Sequence, residues 1–192
     1  MKKLTFLTIA ALMVGSMAHA QIQAGNVMVG GNFANLNLGL DDSKVFTLEI
    51  TPKAAWFIQD NVALGGYVDL GIQTAKNSST TFTYGAGALG RYYTGREVEV
   101  LRHGRIFAEA TFGFGGINVS DGGGNTNGLK FGAGPGFAYF ITPNIGLETL
   151  LTYNGLTGFG NASYQSNINL LFGLQIYLSG RATAARVSRD AQ

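Results

Sequence analysis

The chain has 192 residues, no Cys, 12% charged residues and a formal net charge of +2. That charged fraction is about half the roughly 25% of an average globular domain, and zero Cys excludes disulfides, thiol catalysis and Cys-ligated metals. Without Lys2 and Lys3 the 13 basic residues fall to 11 and balance the 11 acidic ones, so the rest of the chain is electroneutral. It carries no basic footprint for nucleic acid.

Met1-Lys2-Lys3, an apolar run from Leu4 to about Val14, and Ala18-His19-Ala20 have the order of a secretory signal peptide, expected over residues 1–20. The run is too short to cross a bilayer as a helix, and with no Cys after the cleavage site a lipoprotein anchor is not expected. No later apolar run is long enough for a transmembrane helix. One domain is expected over residues 21–178, followed by a periplasmic, disordered tail over 179–192.

Period two governs the remainder. A first strand near Gly25 to Leu38 starts with Val27, Val29 and Phe33 on odd positions and ends with Leu36 and Leu38 on even ones. Such a change of phase predicts a bulge near Asn35 or at Gly30-Gly31. The second strand sets Leu48, Ile50, Trp56 and Ile58 against Thr47, Glu49, Thr51 and Lys53. The third sets Val62, Leu64, Val68, Leu70 and Ile72 against Gly65, Asp69 and Gln73. The fourth carries Phe82, Tyr84, Ala86 and Ala88 against Thr and Gly, and the fifth Ile106, Phe112 and Phe114 against Arg105, Glu109 and Thr111. The sixth opposes Leu129, Phe131, Ala133 and Phe137 to Lys130 and glycines, the seventh Leu147, Leu151 and Tyr153 to Glu148 and Thr152, and the eighth Ile168 to Leu178 to Asn167, Asn169 and Gln175. Segments of this length suit tilted transmembrane strands. Lipid cannot satisfy an open sheet edge, so the expected fold is all-β, an eight-stranded antiparallel up-and-down transmembrane β-barrel. Pro52 and Pro135 fit it less easily, because each removes a ladder donor.

A soluble barrel also alternates, with its polar face outward and rich in Lys and Glu. Here the second face is Gly, Ala, Thr and Asn with one or two charges per strand, which suits a cramped lumen. The inward charges are Glu49, Asp69, Glu109 and Glu148 with Lys53, Arg91, Arg105 and Lys130. Four acids meet four bases, and unpaired charge in a narrow lumen is costly, so a salt-bridged plug is expected ahead of an ion path.

Gln59-Asp60-Asn61 and Thr142-Pro143-Asn144 read as short turns. Leu40 to Ser43, Lys76 to Thr80, Ser120 to Asn127 and Asn154 to Ser163 read as longer loops. Short turns face the periplasm in such barrels, which puts both termini there. Trp56, Tyr92, Tyr93, Tyr139, Phe140 and Tyr177 near the turns, and Phe46, Phe82, Phe114 and Tyr153 near the loops, are read as two interfacial girdles. Gly95 to His103 is a longer, charged periplasmic connection that could extend the fourth and fifth strands.

The stretches Trp56-Phe57-Ile58-Gln59-Asp60-Asn61-Val62-Ala63-Leu64-Gly65 and Tyr139-Phe140-Ile141-Thr142-Pro143-Asn144-Ile145-Gly146-Leu147-Glu148 resemble the hairpins of the outer membrane protein β-barrel family, the small OmpA/OmpX-like barrels. The resemblance covers about Gly25 to Leu178 and marks architecture. It implies roles in envelope structure, adhesion or small-solute passage, and it brings no catalytic residues. Such barrels often end on an aromatic residue, whereas Tyr177-Leu178 is followed here by Ser179 to Gln192.

Little else carries chemistry. Gly85-Ala86-Gly87-Ala88-Leu89-Gly90 matches a dinucleotide fingerprint but lies inside a strand without a following helix. His103 stands on a connection with no paired Ser or acid. Asp121 to Asn125 lacks the ligand run and closing Glu of a calcium loop. Neither metal nor cofactor is expected, and no enzyme. The expected partners are outer-membrane lipids, periplasmic chaperones and the barrel-assembly machinery, with extracellular ligands reached through the loops. The expected function is a structural, adhesion or surface-interaction role in the outer membrane; the alternative is a narrow channel for small or hydrophobic solutes.

Overall fold

A computed structural model describes residues 22–38, 46–74, 79–94, 104–120, 125–159 and 164–180. The expected signal peptide, the connection Gly95 to His103, the loop Leu40 to Ser43 and the chain beyond residue 180 lie outside the described residues.

Eight strands run in chain order: β1 (Val27–Leu38), β2 (Phe46–Gln59), β3 (Val62–Thr74), β4 (Thr81–Tyr93), β5 (Gly104–Val119), β6 (Asn125–Thr142), β7 (Ile145–Gly158) and β8 (Tyr164–Leu178). Each pairs antiparallel with its neighbours, and β8 returns to β1 to close the barrel. The phase change in β1 is a register shift between Ala34 and Asn37, so of the two expected positions the bulge occupies the one at Asn35. Both prolines keep their register but interrupt one ladder. Pairing of β2 with β3 skips Thr51 and Pro52, and pairing of β6 with β7 skips Gly134 and Pro135. The other ladder of each proline is continuous, with Pro52 opposite Gly31 and Pro135 opposite Ala108. A missing N–H is thus confined to one side of one strand.

The two similar stretches noted in the sequence fold alike. Asp60–Asn61 and Pro143–Asn144 are two-residue turns, each preceded by a register shift, at Phe57/Gln59 and at Phe140/Thr142. Asn61 takes φ 67°, a left-handed conformation that Asn tolerates better than most residues. The carbonyls of Asn61 and Asn144 accept hydrogen bonds from the backbone N–H of Tyr93 and Tyr177, at 2.8 Å in both cases. These turns mark one end of the barrel, the turn end. At the opposite, loop end the strands run further than the composition suggested: β5 and β6 pair out to Asn118–Asn125 and β7 and β8 out to Thr157–Tyr164. Segments read as loops from their Gly, Asn and Ser are therefore partly strand.

The faces are inverted relative to a water-soluble protein. Trp56 is 58% exposed, Phe112 58% and Ile168 70%, and Val68, Leu70, Leu147 and Leu151 also stand outward. Buried Met28, Phe57, Tyr67, Leu89, Phe107 and Leu150 form the core inside the barrel. So large an exposed apolar band suits a hydrocarbon surrounding. The substitution Val68→Arg, on the outward face midway along β3, is therefore expected to cost about 2–4 kcal/mol in lipid vesicles, measured by urea unfolding. On a water-facing surface the same change would stay within about 0.5 kcal/mol.

Candidate functional site

The lumen is the one place where charge, hydrogen bonding and enclosed space meet among the described residues, and period two builds it. Lys53 on β2, Arg91 on β4, Glu109 on β5 and Glu148 on β7 all fall on inward positions and are buried. Arg91 and Glu109 are direct cross-strand neighbours; the others reach across the lumen. Arg91 Nη2 lies 2.5 Å from Glu109 Oε2, and Arg91 Nη1 lies 2.7 Å from Glu148 Oε1. Lys53 Nζ reaches the other oxygen of Glu109 at 2.6 Å. Two cations thus share two carboxylates, with Arg91 as the hub and its side chain fully buried. A planar guanidinium with five donors suits that position.

The hub also receives aromatic support. Its guanidinium carbon stands 4.1 Å from the Phe107 ring centroid, a cation–π arrangement. Arg91 Nη1 donates to the Tyr93 hydroxyl at 2.9 Å, the Tyr93 and Tyr177 hydroxyls are 2.7 Å apart, and the Tyr177 hydroxyl donates to Glu148 Oε1 at 2.9 Å. Phe57 and Phe140 pack against Tyr177, and Ile22 packs against the same core from the segment before β1. Together these groups fill the turn-end half of the lumen. Gly136 is required there: a Cβ on it would lie 2.3 Å from Phe107 Cζ, because the Phe107 ring lies over its backbone.

A second group sits toward the loop end. Lys130 Nζ donates to Asp69 Oδ2 at 2.6 Å, and the Thr51 hydroxyl donates to Asp69 Oδ1 at 2.8 Å. Beside this pair lies a cavity of about 260 Å³. Glu49, Tyr67, Thr111, Thr152, Asn154 and Asn169 line it, together with the two charged pairs Lys53–Glu109 and Asp69–Lys130. The Tyr67 hydroxyl is buried and makes no hydrogen bond in the wall.

The eight expected lumen charges therefore separate into parts. Lys53, Arg91, Glu109 and Glu148 form one cluster, Asp69 and Lys130 a second pair, and Glu49 lines the cavity. Arg105 is at the turn end, its guanidinium donating to the Gly104 carbonyl at 3.1 Å. Among the expected girdle residues, Trp56, Tyr92, Tyr139 and Tyr153 stand outward. Tyr93, Tyr177 and Phe140 do not: both tyrosines are buried in the lumen and Phe140 packs beneath them. The signal for this was available. Tyr93 is in phase with Arg91, Tyr177 with Gln175 and Phe140 with Lys130, so alternation placed all three inward while their aromatic character suggested an interface. The described residues contain no group of His, Asp and Glu arranged to hold a metal ion.

No family model and no curated protein matches the chain by sequence. By fold it is similar to the crystal structure of Neisserial surface protein A, with a TM-score of 0.56 and 19% identity, covering 80% of this chain and 97% of that one. It is also similar to the N-terminal β-barrel domain of Pseudomonas aeruginosa OprF, with a TM-score of 0.54 and 15% identity, covering 81% and 98%. The fold is that of the small eight-stranded outer-membrane barrels.

Proposed function

We propose that this protein is a non-enzymatic outer-membrane barrel with a closed lumen, serving a structural or surface-interaction role through its loop end, with both termini in the periplasm. The observation that carries this reading is the Arg91 cluster. A guanidinium held by two carboxylates, covered by Phe107 and linked to Tyr93 and Tyr177, sets fully buried side chains across the turn-end half, which supports a closed lumen. Eight-stranded lumens are normally filled by side chains. The charged groups of the cluster are engaged with one another, which leaves none poised as a base or nucleophile. The short turns, the start of β1 and the end of β8 share one side, and in barrels of this class that side faces the periplasm.

The narrow-channel reading has the loop-end cavity in its favour. Planar-bilayer recording separates the two. The closed-lumen reading predicts no stable conductance steps for the wild type; stable steps whose size changes in Arg91→Ala would support the channel instead.

A further inference from the structure

The loop-end cavity has a graded wall. Strands β7 and β8 supply one side of it as successive cross-strand pairs: Leu150 with Leu171 nearest the turn end, then Thr152 with Asn169, then Asn154 with Asn167. An apolar floor is thus followed by two polar steps. Leu150 and Thr152 are buried, whereas Asn167 and Gln165, both on inward positions of β8, are exposed. The cavity therefore meets solvent toward the loop end, while on its turn-end side the lumen holds the buried Arg91 cluster.

In a ring of eight strands β3 stands opposite β7, and it contributes Tyr67 to the same cavity. Tyr67 is 6% exposed, and its hydroxyl has no hydrogen-bond partner in the protein. Buried polar groups are rarely left so, because nothing then compensates their lost hydration. Charge narrows what could satisfy it. Of the five charged residues lining the cavity among the described residues, Lys53 is closed on Glu109 and Lys130 on Asp69, each at 2.6 Å, and Glu49 is itself engaged. A charged ligand would have to open one of these contacts. Hydroxyl groups suit the rest of the lining, because Tyr and Thr hydroxyls and Asn amides both donate and accept. Volume sets the size: about 260 Å³ lies just below the roughly 300–1,000 Å³ of sites for drug-sized ligands, which leaves room for a single ring. Leu150 and Leu171 offer the C–H face of such a ring an apolar floor.

We propose that the cavity binds a small uncharged polyol, one sugar or cyclitol ring in size, that enters from the loop end and bridges Tyr67 to the polar steps of β7 and β8. This rests on the reading of a barrel closed at the turn end and acting through its loop end, which bilayer recording tests separately. The probes are D-glucose, D-galactose and myo-inositol, each titrated into the barrel in phospholipid nanodiscs and followed by NMR. At least one is expected to give saturable shifts at Leu150, Asn169 and Leu171, with little change at turn-end Ala63 or outward Ile168. In Tyr67→Phe that affinity is expected to fall about tenfold, which corresponds to roughly 1.4 kcal/mol. The urea midpoint of the same variant in lipid vesicles is expected not to fall, since the hydroxyl has no protein partner to lose; a residue that only supported the fold would show the reverse. Non-saturable shifts with all three probes, in a barrel that still shows heat-modifiable migration, would overturn the proposal and leave a cavity that holds water only. So would undiminished affinity in Tyr67→Phe, or binding of the anion gluconate as tight as that of the best neutral ring.

Discussion

Replacing Arg91 with Met is expected to destabilise the barrel by about 3–5 kcal/mol, the usual loss when one partner of a buried ion pair is removed. The reason is what remains. Glu109 keeps only Lys53, and Glu148 keeps only the Tyr177 hydroxyl, and both carboxylates are buried. The pairs themselves need not stabilise the fold, since desolvation offsets much of their attraction; breaking them is what costs. Adding Glu148→Gln to Arg91→Met is therefore expected to restore part of the loss, because a neutral amide avoids the buried uncompensated charge. Urea unfolding in lipid vesicles, followed by the fluorescence of Trp56, the single Trp of the chain, measures both variants. A loss below about 1 kcal/mol for the single change would resemble a solvent-exposed pair and contradict the buried hub.

Gly113→Ala is expected to prevent formation of the folded barrel. Gly113 on β5 faces Gly87 on β4, and a Cβ on it would lie 2.2 Å from the Ala86 carbonyl oxygen and 2.6 Å from Gly87 Cα. Both are backbone atoms, which no rotamer change can move aside, so the strands would have to separate. Gly90→Ala is the matched control. There the only close neighbour of an added Cβ is Leu64 Cδ2 at 3.4 Å, the end of a flexible side chain. Refolding into detergent and electrophoresis with and without boiling should give a heat-shifted band for Gly90→Ala and none for Gly113→Ala. A shifted band for both would show that β4 and β5 approach less closely than their Gly–Gly pair indicates.

The strands were legible in the sequence because alternation reports directly which side chains meet lipid and which meet one another. The inward charges were legible for the same reason. Which charge meets which was not. Arg91 and Glu109 are neighbours through the register of β4 and β5, and Lys53 meets Glu109 across the lumen from a strand it does not pair with. Such contacts depend on stagger and diameter, which periodicity does not encode. Tyr93, Tyr177 and Phe140 were assigned by chemical type when phase was the better guide. The extent of β5 to β8 at the loop end was underestimated because Gly, Asn and Ser report hydration, and a strand that rises clear of the lipid is free to be polar. The short ladder between β1 and β8, which ends at Phe33–Phe172, had only a faint sequence signal, the change of phase after Phe33.

The up-and-down order of the strands also sets the sequence of events by which the barrel forms. Seven ladders join consecutive strands and need only short chain closures; the eighth joins β1 to β8, from opposite ends of the barrel. Its entropic cost is the largest, because loop-closure cost grows with chain length, and non-local pairing is slow. Until it forms, the sheet has two raw edges that hydrocarbon cannot tolerate, so closure and insertion must advance together. The shorter ladder between β1 and β8 contributes fewer bonds to that last step, and the same line is where an assembled barrel would begin to unzip.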